Sequence, residues 1–375
     1  MERRTFVSTL GKIGLGIAAA QFMGFPLSAA NTIASEYKKW IWLVPETNTP
    51  LDTWRQRFEM MKSYGVHGIM AQVYSSHSTM YASNNLPVKA DVLKTLIQAG
   101  KETGIEVHAW MWTMPNNHEE TREKHPEWFA VNRLGQPSFS HPAYVDYYRF
   151  MCPNQQGVRD FLTQNVRELS AIEGLDGIHL DYIRFPDVIL AEGLQPKYNI
   201  VQDKEYPQYD YCYCETCRKK FSEKTGIDPL KDMADPTSDK QWRQFRYDSI
   251  TELVNELLVP EIKNGGKIAS AAVFPNWESV RQQWSRWNLD AFFPMLYQNF
   301  YNMDIQWIGA QITKEIDAMN KHIPLYAGLY LPGLTPEQMS NAIEIARKSG
   351  ASGYSLFSYN DITTAYWDKI GKKSD

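Results

Sequence analysis

Short apolar runs alternate with amphipathic segments along most of this chain. The runs fall at residues 40–43, 68–74, 106–112, 177–182, 267–274, 291–297, 325–331 and 353–358, each short enough for a strand. Between them the apolar residues recur at helical spacing, as at 51–64, 88–103 and 241–262. Thr335-Pro336-Glu337-Gln338 reads as a helix start, with Thr335 as N-cap and Pro336 in the first turn. Gly65, Gly104, Gly174 and Gly350 stand where helices end just before strands. Eight strand–helix repeats predict an α/β fold, a (β/α)8 TIM barrel. An open doubly wound sheet is the alternative, but no Gly-rich phosphate loop follows the first strand. The connections 115–151 and 186–239 are too long for plain loops. They predict insertions after strands three and four, both leaving the carboxyl end of the barrel, where this fold carries its chemistry.

The first thirty residues follow another pattern. Arg3-Arg4-Thr5-Phe6-Val7 precedes a modest apolar stretch broken by Gly14, Gly16, Gly24 and Pro26 and closed by Leu27-Ser28-Ala29-Ala30. That is the layout of an export signal, too short and too interrupted for a membrane span. The paired arginines resemble a twin-arginine signal, with a Sec signal as the alternative. The expectation is a signal over residues 1–30 and one elaborated barrel over 38–370, periplasmic or extracellular, without a transmembrane segment when mature.

Composition narrows the partners. Of 375 residues, 39 are Lys or Arg and 43 are Asp or Glu, so no basic excess points to nucleic acid. The 43% hydrophobic content supports a large core. With 12 Trp, 21 Tyr and 16 Phe, rings are abundant enough to line a ligand groove as well as a core. Trp40 and Trp42, near a strand start, suit packing. Trp110, Trp112, Tyr297 and Tyr359 fall towards strand ends, where a ring can line a ligand groove or join the core.

The densest stretch for chemistry is Leu175-Asp176-Gly177-Ile178-His179-Leu180-Asp181-Tyr182-Ile183-Arg184-Phe185-Pro186. Alternation puts His179 and Asp181 on one face of the strand and Asp176 on the other. Asp181, at the carboxyl end, can serve as an acid or base, or as a structural anchor paired with Arg184. This stretch resembles that of the glycosyl hydrolase-like family 10 proteins. The resemblance extends to Gln72-Val73-Tyr74, Met80-Tyr81-Ala82-Ser83, His108-Ala109-Trp110, His125-Pro126-Glu127-Trp128, Cys152-Pro153-Asn154 and Phe293-Pro294-Met295-Leu296-Tyr297. It implies glycosidic hydrolysis of an oligo- or polysaccharide, with cell-wall glycan as one target. A more distant resemblance, to family 18 glycosidases, breaks at the chemistry. Ile183 stands at that family's acid position, and Gln298 follows Met295-Leu296-Tyr297 where it carries Asp. Asp181 is then the nearest remaining acid.

Glycoside hydrolysis needs a second carboxyl group. Glu278, after strand five, is preferred over Glu46, Asp187, Asp361, Asp203, Glu205 and Asp210. Gln72, Tyr74, His77, Trp110, Trp112, His179, Arg184, Tyr297, Gln298 and Tyr359 are the candidate sugar contacts, although inner-barrel hydrogen bonding is the simpler role for His179. Cys152 followed by Cys212-Tyr213-Cys214-Glu215-Thr216-Cys217 spaces four thiols for one structural zinc ion, with disulfides as the alternative. The pattern is similar to the zinc cluster of family 42 β-galactosidases. No cofactor is expected for catalysis. A carbohydrate-binding barrel without turnover is the rival function. A metal-dependent hydrolase lacks clustered His and carboxylate ligands.

Overall fold

The computed structural model describes residues 36–319 and 321–371. The expected signal at 1–30 lies outside them. The strands are β1 (Lys38–Leu43), β2 (Gly68–Tyr74), β3 (Glu106–Trp112), β4 (Gly177–Asp181), β5 (Ile268–Val273), β6 (Ala291–Pro294), β7 (Tyr326–Tyr330) and β8 (Gly353–Phe357). All neighbours pair in parallel in the order β6-β5-β4-β3-β2-β1-β8-β7. Parallel bridges Phe292 to Leu325 and Met295 to Gly328 bring β6 to β7 and close the ring. The result is a (β/α)8 barrel, as the alternating pattern predicts.

The helices are α1 (Leu51–Ser63), α2 (Leu93–Thr103), α3 (Glu119–Lys124), α4 (Gln156–Ser170), α5 (Glu215–Thr225), α6 (Lys240–Glu252), α7 (Val259–Asn264), α8 (Gln306–Ala318), α9 (Pro336–Lys348) and α10 (Thr364–Ile370). Thr335 caps α9 as expected: its hydroxyl accepts from Gln338 N, and the Gln338 side chain accepts from Thr335 N. Gly104 closes α2 at φ 74°, a left-handed conformation that glycine adopts without the Cβ penalty. The single helix expected at 241–262 is instead α6 and α7 joined by a wide π stretch, Leu253–Leu258. Pro260 supplies the reason, since it has no N–H for the turn behind it and its ring crowds that carbonyl. Among the described residues no helix is long and apolar enough to cross a membrane.

The barrel interior is filled rather than hollow. Trp40, Trp42, Met70, Trp110, Phe293 and Tyr326 pack together inside the ring of strands. Their bulk is accommodated by glycines on neighbouring strands. A Cβ on Gly68 would come within 2.5 Å of the Trp40 ring, and one on Gly177 within 2.5 Å of the His108 ring. Asp176, at the start of β4, accepts from Val107 N at 2.7 Å and so fixes β4 against β3 at the end remote from the site.

The two insertions lean on each other. Tyr213 N donates to Val131 O at 2.7 Å, Asn132 bridges Tyr211, and the Tyr144 and Tyr209 rings stack 4.4 Å apart. Beneath this contact Arg246 and Asp210, both fully buried, form an ion pair.

Candidate active site at the carboxyl end of the barrel

Inward-facing side chains at the ends of the strands surround a cavity of about 490 Å³. Gln72, Trp110, Trp112, Asp181, Arg184 and Tyr297 all reach it. Asp181 is 8% exposed. Its Oδ2 accepts from Trp110 Nε1 at 2.9 Å and its Oδ1 from Tyr182 N at 2.7 Å. Tyr182 itself adopts φ 51°, which turns the chain sharply as it leaves β4. Burial pushes Asp181 up to about 6, against the two hydrogen bonds and the nearby Arg184 charge, which pull it down. A carboxyl held there carries a proton in mildly acidic solution and can deliver it.

Arg184 is 2% exposed and pairs with Asp187, not Asp181, at 3.0 Å. It also donates to Phe185 O at 2.8 Å and Tyr148 Oη at 3.2 Å, and lies over the Phe274 ring. Asp187 lines the same cavity, so the carboxylates facing it among the described residues are Asp181 and Asp187.

Other expected contacts are placed elsewhere, each for a local reason. Glu278 is exposed in a neighbouring depression. After β5 it is Phe274 that meets the cavity, and the short helix Trp277–Val280 carries Glu278 outward. Tyr74 would face inward by strict alternation. A register shift between Gln72 and Tyr74 sets it beside Met111 and turns it into the outer core, with its hydroxyl buried. His179 lies one layer below the cavity, accepting from Trp42 Nε1 at 3.2 Å and contacting Ser270 Oγ at 2.9 Å. Burial pushes it well below the ordinary imidazole range, so the ring is neutral beneath the cavity floor. Gln298 turns away behind Tyr297 and donates to Gly333 O. Tyr359 packs against the outer core, and Phe357 takes the inward place at the end of β8. His77 is exposed on the loop after β2, where partial burial of the ring, then the charges of Arg149 and Arg122, lower its pKa.

The remaining acids weighed for the second carboxyl have other partners. Glu46 accepts from Arg57 and Thr49, Glu205 from Arg281, Asp203 from Tyr206, and Asp361 from Ser358.

Rings that the sequence reading did not single out complete the cavity. Tyr330, Phe357, Tyr301 and Tyr148 line it, with the Tyr297 and Tyr330 rings 5.2 Å apart. Period-two alternation along β7 and β8 points to Tyr330 and Phe357, which share a face with Gly328 and Ser355. Trp110 and Tyr297 are only 3% and 7% exposed, so they offer edges; Trp112 is half-buried and offers more of its ring.

Away from the cavity, Cys152, Cys212, Cys214 and Cys217 are all buried, with their sulfurs within 4.8 Å of one another. Cys152 Sγ lies 3.4 Å from Cys217 Sγ and 3.6 Å from Cys214 Sγ. A tetrahedral zinc site, with bonds of ≈ 2.3 Å, separates its sulfurs by about 3.8 Å, so the four thiols fit one ion. Val131 N and Asn154 Nδ2 donate to the Cys212 and Cys217 sulfurs at 3.4 and 3.3 Å. Cys214 also sits at the N-cap of α5.

Proteins of known structure share this architecture. The glycoside hydrolase domain of PgaB (BpsB) from Bordetella bronchiseptica matches 90% of this chain and 100% of its own, with a TM-score of 0.67 and 13% identity. The catalytic domain of a β-amylase from Paenibacillus polymyxa matches 89% and 95%, at 0.59 and 12%. A β-galactosidase from the Antarctic haloarchaeon Halorubrum lacusprofundi gives 0.64 and 11%, over 89% of this chain and 57% of that one. These likenesses concern the fold. The family profile described as hypothetical glycosyl hydrolase 6 matches residues 58–182, a span that ends one residue past Asp181. No curated protein matches in sequence. A glycosidase-like barrel is the statement common to these comparisons and to the motif resemblance. The profile carries the number six, whereas the motifs resemble family 10.

Proposed function

We propose that this protein is an exported glycoside hydrolase acting on a polysaccharide or cell-wall glycan, with Asp181 as its general acid. The observation that carries the reading is a buried carboxyl, held near 6, at the carboxyl end of a barrel strand and on the wall of an aromatic cavity. The matching profile and the likeness to glycoside hydrolase barrels support it. Asp181 gives its proton to the glycosidic oxygen as the bond to the anomeric carbon breaks. Asp187 is the second carboxylate, acting on that carbon directly or through a water. Trp112 receives a sugar face.

The test is release of reducing ends from a panel of plant, fungal and bacterial wall glycans. Asp181→Asn should lower turnover of a responsive glycan by about 10²–10⁴-fold while leaving thermal unfolding near wild type. Wild-type turnover in the folded variant would remove Asp181 from the mechanism. Glycan binding without any turnover would identify a carbohydrate-binding barrel instead.

For the thiol cluster we propose a zinc ion with a structural role, because four protein ligands leave no position for water. It would tie the strand-three insertion, through Cys152, to the strand-four insertion. Elemental analysis of protein purified without added metal should find one equivalent of zinc, and chelation should lower the unfolding temperature. Absence of metal together with absence of titratable thiols would establish disulfides.

A further inference from the structure

Beside the central cavity lies a second depression of about 470 Å³, faced by Asn276, Glu278, Tyr301, Met303, Trp307 and Lys314 among others. Tyr301 lines both. Its ring stacks on Trp307, with centroids 5.0 Å apart and planes at 28°, and its hydroxyl donates to Asn276 Oδ1 at 2.7 Å. The loop 190–194 borders both cavities as well, Leu194 facing the first and Glu192 the second. Gly193 fixes this loop on the turn that carries Tyr301: its N–H donates to Phe300 O at 2.8 Å, and a Cβ there would come within 2.4 Å of Asn299 O. The two cavities therefore adjoin at Tyr301 and the loop 190–194.

We propose that this depression is an extension subsite, so that a glycan chain runs from the cavity above Asp181, past Tyr301, to Trp307. The proposal rests on the glycosidase reading above and names the kind of substrate, a chain of several sugars rather than a terminal mono- or disaccharide. Trp307 is half-buried and Met303 exposed, which leaves apolar surface for a sugar face. Asn276, Gln311 and the two carboxylates provide hydrogen-bonding groups for hydroxyls. Glu192 and Glu278, both exposed, outweigh Lys314 in charge. The subsite therefore takes sugars without acidic substituents and repels uronates.

Binding of cello-oligosaccharide, N-acetylchito-oligosaccharide and oligogalacturonide ladders, from disaccharide to hexasaccharide, tests this by calorimetry on the Asp181→Asn protein. In at least one of the neutral ladders affinity should rise with length, and Trp307→Ala should weaken the hexasaccharide about two- to tenfold more than the disaccharide. Glu278→Lys, a change at an exposed residue, should raise affinity for the oligogalacturonide hexasaccharide relative to its disaccharide. Affinity independent of length, or a Trp307→Ala loss equal at all lengths, overturns the subsite and leaves the glycosidase reading intact. No binding of any ladder by a protein that hydrolyses none of the wall glycans overturns both.

Discussion

Asp181 and Asp210 are both almost withdrawn from water, at 8% and 0% exposure, and they are held in opposite directions. Burial raises each. At Asp181 nothing compensates fully: a Trp N–H, one backbone N–H and a more distant Arg184 leave the carboxyl near 6. At Asp210 the Arg246 and Arg281 guanidiniums overcome burial, helped by the Tyr213 hydroxyl, which donates at 2.6 Å, and the carboxyl lies below the usual range. Depth therefore does not decide in which direction a buried acid is held; its partners do. The acid given full cationic partners ties the strand-four insertion to α6 and to the segment after β5. The acid denied one faces a cavity.

The contrast predicts opposite consequences for the same substitution. Asp210→Asn leaves Arg246 buried with no neutralising charge at contact distance, so it should cost about 3–5 kcal/mol of stability, measured by chemical denaturation. Asp181→Asn should cost far less stability and most of the activity. Equal losses of stability in the two variants would erase the distinction.

A second contrast is in pH. The Asp181 carboxyl rises from 3.8 unfolded to about 6 folded, so the native state binds more protons than the unfolded one between those values. Its contribution is most favourable below pH ~4 and is lost as pH rises through 4–6. At full size the loss is of order 3 kcal/mol. Denaturation curves of wild type and Asp181→Asn, compared at pH 4 and 7, should therefore converge or cross, with the wild type losing ground as pH rises. A pH-independent difference between them would mean that burial does not raise Asp181.

What the sequence discloses follows from how regular the physics is. Strands two and three can be read to the residue because their apolar runs are flanked by turn residues and polar breaks. Strand six stops at Pro294, earlier than its apolar run suggests, because the chain turns there: Leu296 N reaches both Pro294 O and Gly328 O. Asp181 is legible because alternation and strand end together fix its direction. The thiols are legible because Cys212, Cys214 and Cys217 are too closely spaced to lie far apart, and the loop carrying Cys152 leaves the same barrel face. Tyr74, Gln298, Glu278 and Tyr359 go elsewhere because each lies at or beyond a strand end or a register shift, where a bulge or a 3₁₀ turn resets the direction of the side chain. Period-two patterning carries no information about those turns.

The smallest expected effect isolates one partner of Asp181. Trp110 Nε1 donates to the carboxylate, so it favours the ionised form and opposes burial. Trp110→Phe keeps an aromatic ring in the barrel interior and removes that donor. The hydrogen bond is worth about 0.5–1.5 kcal/mol, which corresponds to roughly half to one pH unit. For a general acid the rate falls as the group loses its proton, so kcat/KM on a responsive glycan should decline above pH ~6 in the wild type. In Trp110→Phe that alkaline limb should move upward by the stated half to one unit, the direction that removal of an anion's partner requires. Tyr213→Phe, which removes the corresponding donor from Asp210, should leave the limb where it is and lower stability instead. A limb that moves downward in Trp110→Phe, or moves equally in both variants, would show that the group titrating in the rate profile is not Asp181.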